Sequence, residues 1–162
     1  MLTIEKKSVR AGKFVDTKHV DTVIRNYKQE RWAANSEKLG KEDSLSVWYS
    51  IEELEDFLQK AKDHGADGCR MFFGVYGQDY EVAEYRGRQT LVMVATKQRT
   101  TAEGIENKNV YTQTNIGTSI LAYNRGSLCP PYCGKPKPTE ESDFGELGIT
   151  IIERKDGGLA IV

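Results

Sequence analysis

The chain has 162 residues, 38% of them hydrophobic and 29% charged, with 23 Lys+Arg set against 24 Asp+Glu and a formal net charge of -1. A chain of that length matches one globular domain whose core stands without disulfide staples. The balanced charge argues against a nucleic-acid binder working through an overall positive field, and no apolar run approaches the ~20 residues that span a bilayer. The opening Met1-Leu2-Thr3-Ile4-Glu5-Lys6-Lys7 lacks the apolar stretch of a secretory signal, so the expectation is a cytoplasmic protein without nucleic-acid or membrane partners.

From the amino end, Asp16-Thr17 supplies helix caps, and Val20, Val23, Ile24 and Tyr27 recur at helical spacing with Trp32 and Leu39 beyond. This amphipathic first helix is expected to stop by Gly40. A short strand over 45–49 follows. Ser50-Ile51-Glu52-Glu53 then has the form of a capping box and opens a second helix with Ile51, Leu54, Phe57, Leu58 and Ala61 on one face, ending at His64-Gly65.

Residues 69–76, Cys69 through Tyr76, are short, aromatic and bounded by glycine, which predicts a buried strand. Residues 89–97, with Leu91, Val92, Met93, Val94 and Ala95 in succession, predict a second one covered on both faces. Together they are expected to form the centre of the sheet, joined as an antiparallel hairpin by a long exposed tip over 77–88. The strand, helix and strand over 45–76 have the length of a parallel crossover unit, which would make the sheet mixed. Residues 99–118, rich in Thr, Asn, Glu and Gln, predict a long loop with at most one short strand, and 119–123 an edge strand. Near the end, 148–154 and 159–162 flank Lys155-Asp156-Gly157-Gly158, a hairpin turn.

All four prolines fall between Pro130 and Pro138, and the polar stretch after Gly134 cannot continue a helix or a central strand. The expected organisation is therefore a compact α+β domain over 1–134, two helices packed on a small mixed, mainly antiparallel sheet, with a Pro/Gly-rich linker and hairpin appendage over 135–162.

Three constellations bear on chemistry. Tyr76, Tyr80, Tyr85, Arg86 and Arg88 combine flat amphipathic rings with anion-seeking guanidinium groups, the composition that binding surfaces favour, and make a candidate ligand cleft at the hairpin mouth. The competing reading is packing, since alternate aromatics on a strand usually face a core. Cys129-Pro130-Pro131-Tyr132-Cys133 has the spacing of a metal half-site, yet a closed zinc site needs two further ligands from Cys69, His64, His19 or a carboxylate; a redox pair normally has two intervening residues where this segment has three, which leaves a loop disulfide and, before both, a structural turn fixed by Pro-Pro. An odd count of three cysteines without an export signal favours reduced thiols. His19 and His64 sit in helix positions that suit structural roles, and there is no nucleophile elbow and no phosphate loop.

The ordered set Ser46-Val47-Trp48-Tyr49-Ser50-Ile51-Glu52-Glu53-Leu54-Glu55, then Gly68 through Phe73-Gly74-Val75-Tyr76, then Gln89-Thr90-Leu91-Val92-Met93-Val94-Ala95-Thr96, then Asn124-Arg125-Gly126-Ser127-Leu128-Cys129-Pro130-Pro131 resembles a family of small uncharacterised bacterial proteins. The resemblance covers roughly residues 16–134. It implies a cytoplasmic bacterial protein and transfers no catalytic residue and no cofactor. The functional expectation is a binding or interaction module without chemistry of its own, taking an unknown small molecule or protein through Tyr76, Tyr80, Tyr85, Arg86 and Arg88, with a homodimer through an exposed sheet edge as a reasonable assembly. The alternative is a small metal- or thiol-dependent enzyme using Cys129 and Cys133.

Overall fold

Asp16, in extended conformation, caps the first helix by accepting from the His19 amide at 2.8 Å. Helix α1, Thr17–Tyr27, runs through a π-helical turn at Lys28–Trp32 into α2, Ala33–Leu39, and Gly40 ends it in the left-handed region at φ 75°. The computed structural model describes residues 9–133 and 151–161. The chain divides into two compact units, Met1–Tyr132 and Cys133–Val162. The linker expected after Gly134 falls, through residue 150, outside the described residues.

The lower part of the long helix is held by one buried acid. The Asp43 amide donates to Ser36 Oγ at 2.9 Å, its carbonyl accepts from Trp32 Nε1 at 2.8 Å, and its Oδ1 accepts from the amides of Ser44 and Gln89, both at 2.8 Å. Tyr27 adds a bond from its hydroxyl to Gln89 Oε1 at 2.8 Å. Burial, then the Asp43 charge, push the Tyr27 phenol above its ordinary range.

Strand β1, Ser46–Trp48, leads into α3, Ile51–Asp63, and both halves of the expected capping box form: Ser50 Oγ accepts from the Glu53 amide at 3.2 Å and Glu53 Oε2 from the Ser50 amide at 2.7 Å. Strands β2, Gly68–Val75, and β3, Gln89–Thr101, form the expected antiparallel hairpin, with Met71 opposite Met93 and Phe73 opposite Leu91. The parallel crossover is overturned. Strand β1 pairs antiparallel with β8, Ser127–Cys129, in a separate two-stranded ribbon, and every pairing among the described residues is antiparallel.

The expected loop over 99–118 is also corrected, because it holds regular ribbon. Strand β3 extends to Thr101, turns, and pairs with β4, Gly104–Asn109; β5, Tyr111–Thr114, then pairs with β6, Gly117–Ile120. Both two-residue turns have the form Thr-x-x-Gly. Thr101 Oγ1 donates to the Gly104 carbonyl at 3.0 Å and Thr114 Oγ1 to that of Gly117 at 2.7 Å, and the two glycines sit at φ 129° and 123°. Polar Thr and Asn serve here as solvent-facing strand residues.

Strand β7, Ala122–Tyr123, returns to β3 opposite Val94 and Met93. Three chain segments therefore meet at one point. The Ala95 amide donates to the Leu121 carbonyl, the Leu121 amide to that of Val110, and the Val110 amide to that of Ala95, each at 2.9 Å. This closed ring lets β3 change partners without orphaning buried backbone groups.

Two small cores result. Phe57 and Ala61 of α3 pack on Met93, Ala95 and Leu121, with Tyr49, Leu54, Cys69, Val110 and Tyr123 around them. Tyr76, Tyr85 and Leu128 form the second, with Val47, Tyr80 and Val82. In the other unit, β9, Ile151–Glu153, and β10, Leu159–Ile161, form the expected hairpin, with Gly157 at φ 82° in its turn.

Asp43→Ala strips two backbone amides of their acceptor, and each unpaired buried donor costs about 1–3 kcal/mol. Denaturant unfolding should show a loss of that order, and Asp43→Asn, which keeps an acceptor oxygen, should lose clearly less.

A pH effect follows from Glu53. Hydrogen bonds from Ser50 and then Tyr123, whose hydroxyl donates to Oε1 at 2.9 Å, hold its carboxyl below the ordinary range. A depressed carboxyl stabilises the fold above its unfolded value of about 4.3, and that contribution is lost as pH falls through the lower folded value. Stability measured against pH should therefore fall less steeply in this acid window for Glu53→Gln than for the wild type.

Candidate functional site

The connection between β2 and β3 folds back on the protein. Its ends close through Tyr76 N to Arg88 O at 3.1 Å and Gly87 N to Tyr76 O at 2.9 Å, and a 3₁₀ turn, Ala83–Tyr85, carries Tyr85 inward. Placing Tyr85 on an exposed tip is thus corrected, since it is buried at 8% exposure. Tyr76 and Tyr80 stack at 4.0 Å between centroids, Tyr85 lies 5.8 Å from Tyr76, and Tyr132 meets Tyr85 edge-on at 5.6 Å.

The structure brings the five predicted residues together and occupies their polar ends internally. Tyr76 Oη donates to Asn124 Oδ1 at 3.0 Å, and Tyr85 Oη accepts from the Leu128 amide at 3.2 Å. Arg86 Nε donates to the Tyr80 carbonyl at 2.7 Å. Arg88, itself buried, donates from Nε to the Glu42 carbonyl at 2.8 Å and from Nη1 to that of Glu84. Tyr80 is the most open of the three rings, and the Arg125 guanidinium lies 5.8 Å from its centroid while pairing with Glu81. This assembly seats the ribbon of β1 and β8.

The cysteines depart from the expectation of reduced thiols. Cys129 and Cys133 are disulfide-bonded, and Cys69 is free. Burial pushes the Cys69 thiol above its ordinary range, which makes it a poor nucleophile at neutral pH. Among the described residues no three of His, Cys, Asp and Glu gather as a metal site would require. His19 lies exposed in the first turn of α1, and His64 caps the end of α3 with Nδ1 2.8 Å from the Lys60 carbonyl.

A feature outside the predicted set stands out on β2. Expected at the centre of the sheet and buried, it is instead an edge, paired only with β3 among the described residues. Met71, Phe73 and Val75 share one face and are 58%, 81% and 69% exposed, and Phe72 is half-exposed on the other face. Their neighbours across the hairpin explain the contrast. Met93, opposite Met71, is covered by Phe57 and Ala61, so α3 shelters the inner strand and leaves the outer one open. Arg70 was the available signal, because a charge inside an apolar strand is a common mark of an edge.

No helix among the described residues is long and apolar enough to cross a membrane. Comparison with protein-family models, curated proteins and solved structures yields no match.

Removing a buried aromatic side chain costs about 3–5 kcal/mol. Tyr85→Ala should therefore unfold the first unit at markedly lower temperature in calorimetry. Tyr85→Phe should lose only the part owed to the Leu128 amide, and an unchanged transition for Tyr85→Ala would mean that the ring is not in the core.

Proposed function

We propose that the protein is a non-enzymatic interaction module whose binding surface is the open edge of β2, and that the strand it receives is the β2 of a second copy. The observation that carries this reading is the exposure of Met71, Phe72, Phe73 and Val75 along a strand whose outer side pairs with no strand among the described residues. Exposed apolar surface on a strand edge is a template for another strand, which contributes backbone hydrogen bonds and apolar cross-strand pairs together.

Self-pairing is favoured by the order of residues in β2. An antiparallel copy related by a two-fold axis at Phe72 sets Phe72 against Phe72 of the partner subunit, Met71 against the partner's Phe73, and Cys69 against the partner's Val75. Every exposed apolar residue of the strand then meets an apolar one. The one charge, Arg70, falls opposite the partner's Gly74, which has no side chain to obstruct it and no like charge to oppose it. Such a pairing is isologous and closes at two copies. The bacterial origin and the cytoplasmic location implied by the family resemblance belong to the same proposal.

In a Cys69→Ala background, Phe72→Cys should give a covalent dimer on mild oxidation, seen on a non-reducing gel, whereas Phe73→Cys alone should not, because its opposite number is Met71. Phe73→Lys should turn a dimer into a monomer in light scattering with the circular dichroism spectrum unchanged. A wild-type protein that stays monomeric at its highest soluble concentration would overturn the second copy as the occupant.

A further inference from the structure

An open hollow of about 610 Å³ lies where the end of α3 meets the ribbon of β3 and β4. Its volume is in the range of small-molecule sites. Lys97, Arg99, Lys108 and His64 line it together with Asn109 and Tyr111, and none of the described residues lining it is Asp or Glu. In a chain with a net charge of -1, that is a local concentration of positive charge.

Lys97 and Lys108 stand directly opposite each other in the β3 and β4 register. Like charges so placed cost stability, and an anion between them would relieve the repulsion. Each lysine has one carboxylate, Asp67 Oδ2 at 3.3 Å from Lys97 Nζ and Glu106 beside Lys108. Both lysine side chains are more than half exposed, at 53% and 56%, and pairs of this kind hold weakly and exchange readily. Arg99 faces Glu106 in register, but that carboxylate is taken by Lys108, and no described carboxylate forms an ion pair with Arg99. Tyr111 stands 60% exposed among the lining residues.

We infer that this hollow is a binding site for a phosphate group, free or carried by a small molecule, with Arg99, Lys97 and Lys108 as its donors. Three cations converging on one hollow suit a multiply charged group with several acceptor oxygens, and a guanidinium offers the paired donors that phosphate accepts.

The test is a titration of the full-length protein with glycerol phosphate and, in parallel, with inorganic phosphate, followed by amide chemical shifts. Saturable shifts confined to residues 97–101, 108–111 and 64–65 are expected with both probes, weaker at higher salt, and the tighter of the two identifies the source as an ester or the free ion. Arg99→Gln with Lys108→Gln should weaken binding about tenfold or more, the scale of losing hydrogen bonds to a charged group, with the melting temperature of the free protein unchanged. Shifts that do not saturate, that spread over lysines elsewhere, or that persist in the double variant would overturn the site.

Discussion

The structure depends on the three backbone hydrogen bonds that link Ala95, Leu121 and Val110 in a ring. A long strand paired along its full length would build a plain meander. Here β3 gives its first part to β2 and its last part to β4, with β7 alongside at Met93 and Val94, and the ring satisfies the amides and carbonyls at the point of exchange. Ala95 is fully buried there, as a small residue must be where three backbones converge. The ribbon of β5 and β6 leaves from the same point, so the ring positions Val110 and Tyr111 beside the hollow.

The consequence for function is an uneven distribution of cover. A single helix, α3, with Phe57 and Ala61 inward, roofs the sheet. It reaches Met93 and Ala95 on the central strand and Cys69 at the start of the outer strand, and leaves Met71, Phe73 and Val75 uncovered. The long helix of α1 and α2 is tied by Asp43, Trp32 and Tyr27 to the start of β3. The tyrosine cluster is occupied with β1 and β8. The edge at β2 and the basic hollow at the far end of α3 stay open, and the two proposals concern these two places. They use different residues and different forces, apolar pairing at one and charge at the other.

The polar core atoms show why site residues were hard to identify from the chain alone. Tyr85 and Arg88 have the composition of a recognition surface, yet their donors and acceptors are used on Leu128, Glu42 and Glu84. Residue type reports what a side chain can bind, and only packing reports whether a neighbour has already bound it. Asp43 had no sequence signal because, the adjacent Ser44 apart, its partners lie 7 to 46 residues away. The disulfide state of Cys129 and Cys133 is likewise a matter of geometry, which spacing left open.

What could be read from the chain was local. The capping box at Ser50 and Glu53, the stop at Gly40, the hairpin of β2 and β3 and the turn at Gly157 each arise from bonds between residues close in sequence or from one φ value, and all are present. The Thr-x-x-Gly turns at 101–104 and 114–117 were equally local and went unread, because polar strands carry no apolar alternation to mark them. The partner of β1, the burial of Tyr85 and the exposure of β2 were decided in three dimensions. An apolar run states that a strand should be covered. Whether its own chain or another molecule supplies the cover depends on how far α3 reaches, which no short stretch of residues encodes.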